Sequence, residues 1–160
     1  MTDMTDEELM KFGEGHARQA YMEEPRQRDL MPIFHIECKP KSLIIGAPWS
    51  SEDEKYATID TIKQLAIEKG ATALMFISEC WMSIQLDSDK HRTDDPPSQQ
   101  PNRQEGLKIV VKSPRGALFR TWLIKRDSDG FVTDLEAQPP TQDVEVRILS
   151  GIFDPPTPTP

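Results

Sequence analysis

The chain has 160 residues and a formal net charge of −8, with 36% hydrophobic residues and 14 prolines. This length suits one domain with its own core, and the acidic balance argues against binding a phosphate backbone. Two cysteines are too few for a secreted disulfide framework, and no stretch approaches the roughly 18 apolar residues of a membrane span. We therefore expect a cytoplasmic protein that binds neither nucleic acid nor membrane.

The first predicted element is a helix over residues 6–24. It follows the capping-box pattern Thr5-x-x-Glu8, in which each side chain bonds the backbone of the other residue. Gly13 and Gly15 each weaken a helix by roughly 1 kcal/mol, and the apolar face is patchy. We expect this helix to pack at the periphery or against a partner.

A hairpin and the strongest helix follow. Residues 32–38 alternate as a strand with one buried face, and residues 42–47 form the second strand of the hairpin. Ser51-x-x-Glu54 is another capping box, and Gly70 is the expected stop of the helix between them.

The second half of the sequence is rich in strands. Residues 71–82 are almost continuously apolar, which is typical of a central strand covered on both faces. After a long polar connection, further strands are predicted at residues 107–112, 118–126 and 131–135, with one more at 144–149.

This order predicts an α+β fold: a mostly antiparallel sheet of five to six strands with two helices, the main one packed on one face. We expect the helices to share that face. The expected divisions are an N-terminal helical segment (residues 1–30), a single α+β domain (31–150) and a Pro-rich tail (151–160).

Glu79 is the most unusual residue of the central strand. Alternation places Ile77, Glu79 and Trp81 on one face, with Cys80 on the other. A carboxylate within an apolar strand must be paired, protonated or near water. It either forms a structural ion pair with an arginine or acts as a general base with a raised pKa.

The long connection supplies candidate partners for Glu79. Its second half contains Ser98 and leads through Arg103 and Glu105 into the next strand, with Glu105 on the face of Leu107. If this strand neighbours residues 71–82, Arg103 is placed to pair with Glu79. Such a contact serves either as a structural clamp or as half of a polar pocket.

Arg120 is a second candidate partner, because it shares an otherwise apolar strand face with Trp122. Trp81 and Trp122 either line a pocket or fill the core, and the area that Trp buries favours the core.

Metal and nucleophile motifs are weak. Asp87-x-Asp89-x-His91 lacks the glycine and glutamate of a calcium loop, and His35-x-Glu37 is the pattern of an ordinary exposed strand edge. We therefore predict no cofactor and no metal.

The motif Ser78-Glu79-x-Trp81-Met82, followed by Pro97-Ser98-x-x-Pro101-x-Arg103-x-Glu105, resembles a group of small uncharacterised bacterial and phage-borne proteins. The resemblance covers roughly residues 43–127. It implies no activity, but it implies that Glu79, Trp81, Ser98, Pro101, Arg103 and Glu105 belong to one constellation. Cys80 stands where such proteins commonly carry Ala.

Three functional hypotheses follow. The first is a non-enzymatic accessory or protein-interaction domain, with a protein partner or a homo-oligomer. The second is a small hydrolase-like or ligand-binding enzyme that uses Glu79 with Arg103 or Arg120. The third, an acidic mimic of nucleic acid, rests on net charge alone.

Overall fold

The computed structural model describes residues 4–83, 103–139, 149 and 151–153. The helices are α1 (Asp6–Met22) and α2 (Glu52–Glu68). The strands are β1 (Ile33–Glu37), β2 (Leu43–Gly46), β3 (Ala73–Ser83), β4 (Arg103–Ser113), β5 (Gly116–Arg126) and β6 (Val132–Ala137).

The six strands form one antiparallel sheet in the order β2-β1-β3-β4-β5-β6. Each connection within β3–β6 joins neighbouring strands, and β1 lies between its hairpin partner β2 and the central β3. The predicted α+β fold and its antiparallel sheet are confirmed. So is the neighbourhood of β3 and β4, whose register sets Trp81 opposite Glu105.

Helix α1 packs directly onto the sheet. Its buried residues join alternate side chains of β3 and β4 in one core cluster; they are Leu9, Met10, Ala17 and Tyr21. A Cβ built on Gly13 would lie 2.9 Å from Sδ of Met75, so the glycine permits a close approach of helix and sheet. The predicted peripheral position of this helix is therefore wrong.

Helix α2 covers the opposite face of the sheet. Ile59, Ile62 and Ala66 pack with Leu74 and Phe76, which alternate with the β3 residues that face α1. The helices thus lie on two faces and not on one, and this gives both faces of β3 an apolar lining. Burying such side chains contributes roughly 1.5–3 kcal/mol each, which explains the nearly continuous apolar run of β3.

Both helices begin at the predicted caps, but the two boxes differ. Thr5 and Glu8 bond each other's backbone N–H groups, both at 3.1 Å. Ser51 accepts from the N–H of Glu54 at 3.1 Å, whereas the Glu54 carboxylate bonds Ser50 instead of Ser51. The second box is therefore only half formed.

The C-terminal part of the chain contributes two buried side chains, Leu149 and Ile152, to the cluster on the α2 face. The strand predicted at residues 144–149 lies outside the described residues, apart from Leu149. The divisions at residues 30 and 150 stay predictions, although α1 and Ile152 both share their core with the sheet.

Candidate functional site

Glu79 lies near the end of β3 on the face that α1 covers, as the alternation predicts. Its side chain is 27% exposed. The Tyr21 hydroxyl, at the end of α1, donates a hydrogen bond of 2.6 Å to Oε2 of Glu79. The carboxylate is thus tied to the helix above it.

Arg126 is the centre of the polar group around Glu79. Its Nε lies 2.7 Å from Oε2 of Glu105, and its Nη2 lies 3.4 Å from Oε2 of Glu79. We call Tyr21, Glu79, Glu105 and Arg126 the Arg126 cluster. It joins α1, β3, β4 and β5 at one end of the sheet.

Arg126 also holds two loops. Its Nη1 donates to the carbonyl oxygen of Arg28 at 2.6 Å and to that of Gly130 at 2.8 Å. The first carbonyl belongs to the α1–β1 connection and the second to the β5–β6 turn. The arginine side chain itself is 17% exposed.

Opposing effects act on the charge of Glu79. Burial raises the pKa of Glu79, although hydrogen bonds from Tyr21 and the Leu30 backbone and the charge of Arg126 act in the opposite direction. Burial, with the bond to Glu79, raises the pKa of Tyr21, so the phenol stays protonated and remains a donor. The hydrogen bond is therefore compatible with either charge state of the carboxyl group.

A small cavity of about 190 Å³ opens beside the cluster and is lined by Glu79, Cys80, Trp81 and Glu105. Burial raises the pKa of the Cys80 thiol, which disfavours the thiolate that a nucleophilic cysteine needs. Among the described residues, the cavity thus offers two carboxyl groups and an indole, but no activated nucleophile.

The structure brings Glu79 and Glu105 together through Arg126, while other predicted site residues lie elsewhere. Arg120 pairs with Glu7 of α1 at 3.2 Å and not with Glu79. Trp122 is buried in the core, as favoured, and Trp81 is exposed. Ser98 and the side chain of Arg103 lie outside the described part, so the predicted Arg103–Glu79 pair stays a prediction.

Sequence reasoning missed Tyr21 and Arg126 as partners of Glu79. The alternation that places Arg120 on the α1 face also places Arg126 there. Tyr21 ends a stripe on α1 that repeats every four residues; its members are Leu9, Gly13, Ala17 and Tyr21. These signals were present, but the register of the sheet decides which residues meet.

His35 and Glu37 form a second polar pair, and the interpretation as an exposed edge is wrong. Both side chains are buried; β1 lies between two strands, and Phe12 of α1 packs on the His35 ring. Nε2 of His35 lies 2.8 Å from Oε2 of Glu37, which also accepts from the Ser42 hydroxyl at 2.9 Å. No group of three or more potential metal ligands occurs within the described residues.

An apolar surface lies beside the outer strand β2, on the face of α1. Phe12 packs edge-on against His35, whose neighbour across the hairpin is Ile44. Met31 lies over Gly46, since a Cβ built there would be 2.6 Å from the Met31 methyl carbon. We call Phe12, Met31 and Ile44 the edge surface; all three are exposed.

Comparisons with protein-family models, curated proteins and solved structures found no match to the chain. The resemblance to small bacterial and phage-borne proteins therefore stays a prediction. In the part of the chain that the structure describes, no helix has the length and apolar character needed to cross a membrane.

Proposed function

We propose that the chain is a non-enzymatic protein-interaction domain that binds its partner at the edge surface. The single observation that carries this proposal is the contrast between the two candidate sites. The polar groups of the Arg126 cluster are used to hold the fold, whereas the apolar side chains beside β2 are exposed to solvent.

The contacts of Glu79 support a structural role. A general base needs a free acceptor, but three groups already bond the Glu79 carboxyl: the Tyr21 hydroxyl and Arg126 at Oε2, and the Leu30 backbone. Arg126 in turn directs Nε to Glu105, Nη1 to two backbone carbonyls and Nη2 to Glu79, so each of its nitrogens already has an acceptor and it is not free to hold an anionic substrate. The cluster acts as a latch that fixes α1 and two loops on the sheet.

The edge surface has the chemistry of a docking site. Ile44 of β2 is 58% exposed and Met31 beside it is 48% exposed. The outer edge of β2 is open in the described structure. On the other face of β2, a groove of about 340 Å³ separates Ile45 from Thr61 of α2. An extended segment of a partner fits such an edge by adding a strand to the sheet.

A second candidate function is a small ligand-binding enzyme that uses Glu79. The observation in its favour is the cavity of about 190 Å³ between Glu79, Trp81 and Glu105, together with the raised pKa of Glu79. In that case Glu79 would serve as a general acid. The saturated Arg126 leaves the cavity without a described cation to orient a substrate, so the interaction domain is the better-supported function.

We also propose that the protein is located in the cytoplasm. Cys38 and Cys80 are both free thiols, which fits a reducing compartment.

Selection from a phage-displayed library of random peptides tests the proposed function. Peptides enriched on the wild-type chain should share alternating apolar residues, because alternate side chains of an added strand point to the same face. They should bind the Ile44→Lys variant at least tenfold more weakly.

Ile67→Lys is the matched control, since Ile67 is 56% exposed on α2 and does not line the groove beside β2. It should leave peptide binding unchanged. Peptides that bind Ile44→Lys as well as the wild type, or a library without enrichment, would refute the proposal.

A further inference from the structure

The outer edge of β2 carries no blocking side chain along its four residues. β2 bonds to β1 on one side only, which leaves N–H and C=O groups directed outward on the other. Edge strands usually carry a charge, a proline or a bulge, or are very short, and each of these features hinders the addition of another strand. β2 reads Leu-Ile-Ile-Gly and contains neither charge nor proline, and its register with β1 is regular.

The two ends of β2 carry charges of opposite sign. Lys39 and Lys41 precede the strand, and the acidic residues 52–54 follow it in the first turn of α2. When two β2 strands pair antiparallel, the basic start of each lies at the same end as the acidic turn of the other. A parallel pairing would bring like charges together.

The apolar surfaces on the two sides of the β2 edge suit the side chains that a second β2 strand would place there. Ile44 points to the side of Met31, and Ile45 points to the groove that α2 lines with Ala57 and Thr61. A strand laid along the edge places its alternate side chains on these same two sides. A second copy of β2 supplies one isoleucine to each side of the sheet, Ile44 to one and Ile45 to the other.

We propose that the partner at the edge surface is a second copy of this chain, joined through antiparallel pairing of the two β2 strands. The two-fold axis passes near Ile44 and Ile45, and the two sheets become one continuous sheet. Such an interface is isologous, because the same patch is used by both copies. The inference rests on the proposed function, since it names the partner of that surface.

Sedimentation equilibrium of the full chain between about 1 and 100 µM tests this inference, a range that brackets typical micromolar association. The wild-type chain should show a dimer whose fraction rises with concentration. Ile44→Lys should weaken association at least tenfold, because it places a charge on each side of the axis. Ile67→Lys should leave it unchanged.

A charge exchange provides an independent variant that does not alter β2. Lys41→Glu should weaken the dimer by roughly threefold or more, since two symmetry-related contacts change sign. Adding Asp53→Lys to Lys41→Glu should restore association. Circular dichroism confirms that each variant is folded, and the charge exchange decides the result if Ile44→Lys does not fold.

A chain that stays monomeric throughout, or a dimer that both Ile44→Lys and Lys41→Glu leave intact, would overturn self-pairing. A monomer that still binds the selected peptides at β2 would overturn this inference and leave the proposed function standing. A monomer without peptide binding would remove both.

Discussion

The Tyr21 hydroxyl donates to the Glu79 carboxylate at 2.6 Å, across 58 positions of sequence. This bond joins the last turn of α1 to the end of the central strand. Because Tyr21 is fully buried, its hydroxyl would otherwise lack a partner in the protein interior. Glu79 is therefore an acceptor that the docking of α1 requires.

Replacing Tyr21 by Phe should lower the free energy of unfolding by about 0.5–3 kcal/mol near neutral pH, a range that covers hydrogen bonds to neutral and to charged groups. The pKa of Tyr21 is raised above its ordinary value of 10.0 in the folded chain. The stability that the protonated phenol contributes is thus present below about pH 10 and is lost as the pH rises further. The deficit of Tyr21→Phe should shrink by about 1.4 kcal/mol at about pH 11, measured by urea unfolding.

Tyr56 provides the control for this prediction, because its ring is exposed on α2. Tyr56→Phe should not change the unfolding midpoint. Equal effects of the two substitutions would show that the Tyr21–Glu79 bond does not hold the helix.

Glu79→Gln should reveal the charge state of the carboxyl group. The pKa of Glu79 is raised above 4.5, chiefly by burial, so the folded chain binds this proton more tightly than the unfolded chain. Stability from the protonated acid is therefore greatest below about pH 4.5 and is lost as the pH rises through the folded pKa. As the pH rises from about 4.5 through the folded pKa of Glu79, the free energy of unfolding of the wild-type chain should fall relative to that of Glu79→Gln.

Urea unfolding at a series of pH values measures this difference, and all other groups cancel between the two chains. A wild-type advantage that grows with pH would mean that Arg126 outweighs burial and keeps Glu79 ionised. That result would refute the assigned direction of the pKa shift.

The two glycines of α1 should respond oppositely to alanine. Gly15→Ala should raise the free energy of unfolding by up to about 1 kcal/mol, since nothing lies within 4 Å of a Cβ there. Gly13→Ala places its Cβ 2.9 Å from Sδ of Met75 and 3.2 Å from two isoleucine methyl groups. Overpacking costs typically 1–3 kcal/mol, so this variant should be destabilised in thermal unfolding. A gain at both positions would contradict the close contact of α1 and the sheet.

Much of the fold could be predicted because its signals are local. The caps at Thr5 and Ser51, the stop at Gly70 and the apolar run of β3 each depend on a few neighbouring residues. The position of α1 could not be read in the same way. Gly13 lowers helix propensity, and only the folded sheet shows that its missing side chain permits close packing.

The candidate site was only half predictable, for a similar reason. Alternation placed Glu79 on the face of Ile77 and Glu105 on the face of Leu107, and the register of the two strands makes these one face. Arg120 and Arg126 share that face as well, and alternation does not rank them as partners of Glu79. The choice depends on Glu7 of α1, which pairs with Arg120, and on the loop carbonyls that Arg126 reaches.

The latch is the central claim, and removal of Arg126 tests it most directly. Arg126→Met should lower the free energy of unfolding by about 2–4 kcal/mol, because it leaves two carboxyl groups and two loop carbonyls without their shared donor. Arg120→Met removes an exposed pair with Glu7 and should cost less than about 1 kcal/mol. Urea unfolding of both variants beside the wild-type chain measures the difference. Equal, small losses for the two would contradict the account, since Arg126 would then not hold Glu79, Glu105 and the loops in place.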